Sequence, residues 1–262
     1  MSYTAPPQTL EFGGFLFDMD GTIIDSTNAV VKHWHTIGEE IGVDPEVILR
    51  TSHGRRSIDM LKVLAPEKAN WEYVRYMEGL LPKLHGDDAV EIPGARALLD
   101  ALIAAGAPWA IVTSGTEPLV NGWLDRLALP HPKVLVTAES VENGKPDPTC
   151  YNLGRSRLGL YGHSSSEGEK GEGGEGKGKG EILVLEDSPA GIRAGKAAGC
   201  RVLGLVTSHT AEQVVAAGPD WVVRDLRSVR VVGCDGAQAG GAAGRGRSVV
   251  TLQISDALVT SS

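Results

Sequence analysis

Two aspartates, Asp18 and Asp20, stand two positions apart at the end of an apolar run, Phe-Leu-Phe-Asp-Met-Asp-Gly-Thr over residues 15–22. Residues i and i+2 of an extended chain point to the same side, so both carboxylates can face one small space. Gly21 then lets the backbone turn away without a Cβ clash. Two like charges that close call for a cation between them, or for a shared proton. A hard Mg²⁺ ion, bound by carboxylate and carbonyl oxygens, meets that need. An isolated Asp-x-Asp-Gly turn in solvent is common; what sets this one apart is the series of polar clusters downstream.

Each of those clusters closes its own apolar run. Trp-Ala-Ile-Val over 109–112 leads into Thr113, Ser114 and Gly115. A proline-bracketed loop, Gly-Lys-Pro-Asp-Pro over 144–148, holds Lys145. Ile-Leu-Val-Leu over 182–185 ends in Glu186 and Asp187, just before Ser188 and Pro189. In an open parallel sheet the carboxyl ends of neighbouring strands converge on one crevice, so these clusters can share a site. Singly, each has a plainer explanation. Thr113 suits a strand-to-helix turn with a capping hydroxyl, Lys145 a solvated loop, and Ser188-Pro189 a helix start.

The elements that must position these groups alternate. Strands are predicted over 12–17, 109–113, 133–137, 182–186, 201–206 and 221–224. Helices fall between several of them, such as 95–105, stopped by Gly106, and 189–198, followed by Gly199. Such alternation implies an α/β fold, a parallel sheet with helices on both faces. Residues 26–90 break the pattern. There Ala29, Val30, His33, Trp34, Ile37 and Ile41, then Ile58, Leu61 and Leu64, recur at helical spacing and no strand suggests itself.

Taken in order, the four clusters resemble the four motifs of the haloacid dehalogenase superfamily, over most of residues 12–232. The resemblance implies a Rossmann-like, doubly wound parallel-sheet core (residues 1–24 and 93–262). An all-helical cap domain (25–92) is inserted after the first motif, hinged near 24–25 and 91–94. It also implies roles. Asp18 is the nucleophile that forms an aspartyl-phosphate, and Asp20 protonates the leaving alcohol and later deprotonates the attacking water. Thr113, the Ser114 and Gly115 amides and Lys145 hold the phosphate oxygens. Asp18, Asp187 and the Asp20 carbonyl hold Mg²⁺, with Glu186 ligating directly or through water. The residue types suit that chemistry: carboxylates are known nucleophiles toward phosphorus, and phosphoryl transfer rests on positioning and charge neutralisation. The dehalogenases of this superfamily use no metal and do not have the second aspartate of Asp-x-Asp. Asp20 therefore points to phosphoryl chemistry.

Within the superfamily, Thr-Ser-His-Gly-Arg-Arg over 51–56, the 109–115 run and Glu-Asp-Ser-Pro-Ala-Gly-Ile-Arg over 186–193 look most similar to phosphatases acting on 2-deoxyglucose-6-phosphate and glycerol-3-phosphate. Arg56 stands where that group keeps an arginine, and Arg55 where it varies. His53 and Arg56 are expected to face substrate, since a planar guanidinium suits phosphate or hydroxyl oxygens; a solvated basic face at a helix start is the plainer alternative. His33 and His35, on either side of Trp34, read as packing or surface, and Trp71, Tyr73 and Tyr76 as the core of the cap. The activity expected is Mg²⁺-dependent hydrolysis of a small phosphorylated sugar or polyol. A β-phosphoglucomutase-like mutase is one alternative, and a non-catalytic sugar-phosphate binder another. The intact set of Asp18, Asp20, Lys145 and Asp187 argues against a pure binder, which needs no nucleophile.

Composition sets the outer limits. With 262 residues, 42% of them hydrophobic, the chain can bury one substantial core with a smaller accessory domain. A net charge of −8 argues against nucleic acid as a partner. No apolar run approaches the ~20 residues of a membrane span, and residues 1–10 show neither a signal-peptide nor a transit-peptide pattern. Cys150, Cys200 and Cys234 are too few and too scattered for a zinc site or a disulfide framework, so a reducing cytoplasm is expected; a monomeric enzyme is a separate expectation. Residues 162–180, almost wholly Gly, Ser, Glu and Lys, hold too little apolar surface to order themselves. The Walker A likeness within them fails, because Gly178 follows Lys177 where Ser or Thr is needed. A second Gly/Ala-rich loop, 233–246, separates 230–232 from 249–254, which alternates well enough to return as an antiparallel hairpin strand.

Overall fold

Strands buried on both faces read as continuous apolar runs, and a sheet made of them must be covered on both sides. The computed structural model shows this arrangement, and it describes residues 2–52, 54–160, 180–235 and 248–259. His53, nearly all of the 162–180 stretch and most of the 233–246 loop lie outside the described residues.

The chain opens with β1 (Gln8–Phe12) and β2 (Gly14–Phe17), then crosses through β3 (Ile24–Asp25) into a helical insert. The insert comprises α1 (Thr27–Ile41), α2 (Pro45–Ser52), α3 (Ser57–Leu64) and α4 (Trp71–Leu84), and the chain returns through β4 (Val90–Glu91). Helix and strand then alternate: α5 (Ala95–Ala104), β5 (Trp109–Val112), α6 (Glu117–Arg126), β6 (Leu135–Val136), α7 (Thr149–Arg157), β7 (Ile182–Glu186), α8 (Pro189–Ala197), β8 (Arg201–Leu205), α9 (Ala211–Ala216) and β9 (Trp221–Val223). Two more strands, β10 (Val229–Asp235) and β11 (Val249–Ile254), close the described chain.

Six strands form a parallel sheet in the order β6-β5-β2-β7-β8-β9. Alternation along β2 sorts its side chains between two cores. Phe15 and Phe17 join Leu98, Leu99, Leu102 and Trp123 on one face. Leu16 joins Val112, Tyr151, Val184 and Ile192 on the other. In register, Phe17 pairs with Ile111 of β5 and with Leu185 of β7. The residues that follow these three strands therefore emerge side by side. The helix after β7 starts as its sequence dictates, with the Ser188 hydroxyl accepting from the Gly191 amide and Pro189 in the first turn.

The doubly wound α/β core matches the sequence expectation, with three differences in detail. The strand read over 12–17 is two strands, broken at Gly13, and β1 belongs to a separate antiparallel sheet ordered β1-β11-β10. The expected pairing of β10 with β11 is present, but β10 runs on to Asp235, into the start of the Gly/Ala-rich stretch. The strand expected over 133–137 shortens to Leu135–Val136, paired only with β5 at the sheet edge.

The insert has its own core of Trp34, Ile37, Ile48, Ile58, Leu61 and Val74. Trp71 and Tyr73 pack against it, whereas Tyr76, expected there, is exposed. The two crossings, β3 and β4, lie side by side as an antiparallel pair, and α4 packs on α6 of the sheet layer. Among the described residues no helix is long and apolar enough to cross a membrane.

Candidate active site

Because β5, β2 and β7 are neighbours, Thr113, Asp18 and Asp187 reach one cleft, with Glu186 fully buried beside them. The turn after β2 is tight. The Met19 carbonyl accepts from the amides of Thr22, Ile23 and Ile24, and Gly21 takes a positive φ of 85°. A Cβ on Gly21 would fall 2.2 Å from Asp187 Oδ2, so only glycine allows the first and last clusters to close on each other.

Lys145 reaches in from the loop before α7 and is buried. Its ammonium donates to Asp18 Oδ1 at 2.5 Å, to Glu186 Oε1 at 2.7 Å and to the Val112 carbonyl at 3.1 Å. Burial opposes its charge, but Asp18 and Glu186 outweigh that and hold its pKa above the usual lysine range. Glu186 is fully buried and accepts five hydrogen bonds. Lys145 and the Tyr151 hydroxyl meet Oε1, and the amides of Asp187 and Ser188 together with the Ser188 hydroxyl meet Oε2. Asp187 accepts from the hydroxyls of Thr22 and Ser208.

Charge at this point does not balance. Asp18, Glu186 and Asp187 are all buried and each offers an oxygen within 4.8 Å of the others, against one ammonium. Burial pushes the Asp18 carboxyl well above the ordinary range, with Glu186 and Asp187 adding and Lys145 opposing. Burial, then the Glu186 charge, pushes Asp187 up to about 7. A hard divalent cation is the group whose binding this surplus of carboxylate oxygen fits. Asp18 and Asp187 have the fewest competing donors. Glu186 is already engaged by five, so direct ligation would displace one of them, and its role in this geometry is to anchor Lys145 and the start of α8.

The remaining expected residues divide. Asp20 is half-buried, its Oδ1 receiving the Ser26 hydroxyl at 2.5 Å. Thr113 is buried and its Oγ1 accepts from the Gly115 amide at 3.0 Å, so that amide is turned inward. The Ser114 hydroxyl donates across the cleft to the Gly54 carbonyl at 3.0 Å. Arg56 is brought elsewhere. All five of its N–H donors are engaged, by Asp59 and by the carbonyls of Ala138, Val141 and Glu142, so it clasps the insert to the loop ahead of Lys145. Arg55 is the arginine that lines the cleft. His53 lies outside the described residues.

Sequence reasoning missed Glu78 and His33, which also line the cleft. Glu78 is buried, its oxygens accepting the Ser57 hydroxyl at 2.5 Å and the Thr116 amide at 2.7 Å. The signal was available: Glu78 interrupts the buried stripe Val74, Leu81 on α4, and His33 interrupts Ala29, Ile37 on α1. A polar group on an apolar stripe is the informative exception.

Comparison with known proteins agrees with this arrangement. Residues 15–205 match the model of the haloacid dehalogenase-like hydrolase family. The chain is 37% identical over 235 residues to glycerol-1-phosphate phosphohydrolase 2 of Saccharomyces cerevisiae, covering 89% of this chain and 90% of that protein. It is 36% identical over 229 residues to 2-deoxyglucose-6-phosphate phosphatase 2 of the same yeast, covering 83% of this chain and 89% of that one. The crystal structure of a hydrolase from Pseudomonas syringae superposes with a TM-score of 0.62 at 23% identity, over 84% of this chain and 94% of that one, which speaks for the fold. By the ordered carboxylates, the lysine between them and the length of these matches, the chain belongs to the haloacid dehalogenase-like hydrolases.

Proposed function

We propose that this protein hydrolyses the phosphomonoester of a small phosphorylated polyol or sugar, with Mg²⁺, through an aspartyl-phosphate on Asp18. The observation that carries the reading is the buried Asp18 carboxylate, tied to Lys145 at 2.5 Å beside an unbalanced pair of further carboxylates. Mg²⁺, when bound, would be held by Asp18 and Asp187, with the Asp20 carbonyl and Glu186 beside it, and supplies positive charge against the phosphate oxygens. In the first step a carboxylate oxygen of Asp18 bonds to phosphorus. The bond from phosphorus to the alcohol oxygen breaks, and Asp20 gives that oxygen its proton. In the second, Asp20 takes a proton from the water that attacks phosphorus. The bond to Asp18 then breaks and inorganic phosphate leaves. Lys145 opposes the rise in the Asp18 pKa that burial causes and fixes one of its oxygens. The Thr113 hydroxyl, the Ser114 amide and Arg55 supply donors for the phosphoryl oxygens, as charge stabilisation of this kind requires.

The relatives printed above act on glycerol-1-phosphate and 2-deoxyglucose-6-phosphate, and a cleft of about 100 Å³ suits a substrate of that small class. In this reading the insert is a cap over residues 25–92, moving about its paired crossings. The enzyme works as a cytoplasmic monomer without nucleic-acid or membrane partners.

The test is phosphate release from glycerol, hexitol and 2-deoxyglucose phosphates, with Mg²⁺ and with EDTA, by wild type and Asp18→Asn. Metal-dependent release that Asp18→Asn abolishes supports the proposal. Absence of release from every ester would end it.

A further inference from the structure

The wall of the cleft opposite the catalytic carboxylates is made by the insert, and of the five polar side chains buried in it three carry the argument. They are His33 on α1, Ser52 at the end of α2 and Glu78 on α4. His33 and Ser52 are each 5% exposed. Among the described residues, neither His33 Nε2 nor the Ser52 hydroxyl has a hydrogen-bond partner. Native proteins seldom leave such atoms unmet, and each instance asks for a reason. Both residues line one cavity from different helices, so a ligand seated in that cavity is the partner nearest to hand for the two unmet atoms.

The chemistry of the wall defines that partner. Burial, with His85 adding, lowers the His33 pKa to about 4, so the ring is neutral and offers one donor and one acceptor nitrogen. Ser52 can donate and accept. Each Glu78 oxygen accepts one bond and keeps a further lone pair. An acidic side chain and a neutral imidazole are a poor receptor for phosphate, which Thr113, the Ser114 amide and Arg55 supply with donors. They match alcohol hydroxyls, which both donate and accept. Val30, Trp34, Leu81 and Leu119 line the same cleft and would cover a short carbon chain. We propose that His33, Ser52 and Glu78 form a hydroxyl-recognition subsite that selects a short phosphorylated polyol. This deepens the phosphatase reading and rests on it.

The experiment compares kcat/KM for glycerol phosphate with that for n-propyl phosphate, which keeps the three carbons and the ester but lacks the free hydroxyls. Sites that hydrogen-bond a substrate hydroxyl reject the analogue without it, so wild type should prefer glycerol phosphate by about tenfold or more. His33→Phe and Ser52→Ala should each cut that ratio by about tenfold, chiefly through KM. His33→Gln, which restores a donor and an acceptor, should recover part of it. A wild-type ratio near one would overturn the subsite, as would variants that leave the ratio unchanged or lower both substrates equally. Failure of wild type to cleave either ester would instead remove the phosphatase reading beneath it. Ser52→Ala, the smaller change, decides the matter if His33→Phe does not fold.

Discussion

Replacing Glu78 with glutamine should stabilise the protein above neutral pH and leave it unchanged in acid. Glu78 is 3% exposed. Burial pushes its carboxyl up to about 7, against the bonds from Ser57 and Thr116, and the Asp20 charge adds to the rise. Its ordinary value is 4.5. Between those two values the folded protein holds a proton that the unfolded chain has released, so stability falls as pH rises. The window is 7 minus 4.5, about 2.5 units, and at about 1.36 kcal/mol per unit the cost reaches about 3 kcal/mol above pH 7. Glutamine has the shape of the protonated acid and does not ionise. Its oxygen can accept the Thr116 amide, and its NH₂ can meet the Ser57 hydroxyl, which can turn to accept. Urea unfolding of both proteins in EDTA, from pH 4 to pH 8.5, gives the difference directly. It should be near zero at the acid end, grow in favour of E78Q between pH 4.5 and 7, and then level off. A difference that does not change with pH, or a variant less stable than wild type at pH 8, would refute the reasoning. Either would mean that the buried carboxylate is as comfortable ionised as it is in water.

Gly21→Ala should cost about 2–4 kcal/mol in stability and about a hundredfold in kcat. It forces a side chain onto a φ of 85° and against Asp187, and chemical denaturation with steady-state kinetics checks both effects. Arg56→Lys replaces five donors in a fixed fork by three on a flexible stem. It should lower stability by about 2–3 kcal/mol, and a thermal unfolding midpoint equal to wild type would contradict the clasp. Mg²⁺ should raise the wild-type unfolding midpoint by mass action. Asp187→Asn should lose that rise yet match or exceed wild type in EDTA at pH 8, because it removes a buried carboxylate whose pKa, raised to about 7, makes its ionised form costly there. Calorimetric scans with and without the metal test the two directions together.

That Asp18, Thr113 and the acidic pair meet was legible because each follows a short, wholly apolar strand, where local pattern alone fixes its place. Asp18, Thr113, Glu186 and Asp187 need only the parallel order of β5, β2 and β7 to meet. The insert was harder, since its residues act through which way a helix faces. Arg55 and Arg56 are adjacent in sequence. The start of α3 at Ser57 sends one guanidinium to the cleft and the other to the carbonyls of 138–142. Glu78 and His33 lie on separate helices, 45 positions apart in sequence, and only the packing of α1 and α4 brings both to one cavity. β1 was missed because its exposed, alternating residues run straight into the buried β2, with Gly13 alone marking the break.

The contacts that seat the insert on the sheet layer have a consequence for how such a protein can change over generations. Arg56 binds the carbonyls of Ala138, Val141 and Glu142, and Glu78 binds the amide of Thr116. On the sheet side every one of these partners is a main-chain atom, which nearly any residue at those positions would supply. Side chains at those four positions can change without loss of these contacts, while the Arg75–Glu139 pair and the Ser114–Gly54 bond depend on side chains of the sheet layer. Only two strands of backbone, adjacent at β3 and β4, join the parts. The insert is thus joined to the rest of the chain as a cassette would be. On the proposed reading, substrate preference can be rewritten in α1 to α4 with Asp18, Asp20 and Asp187 untouched.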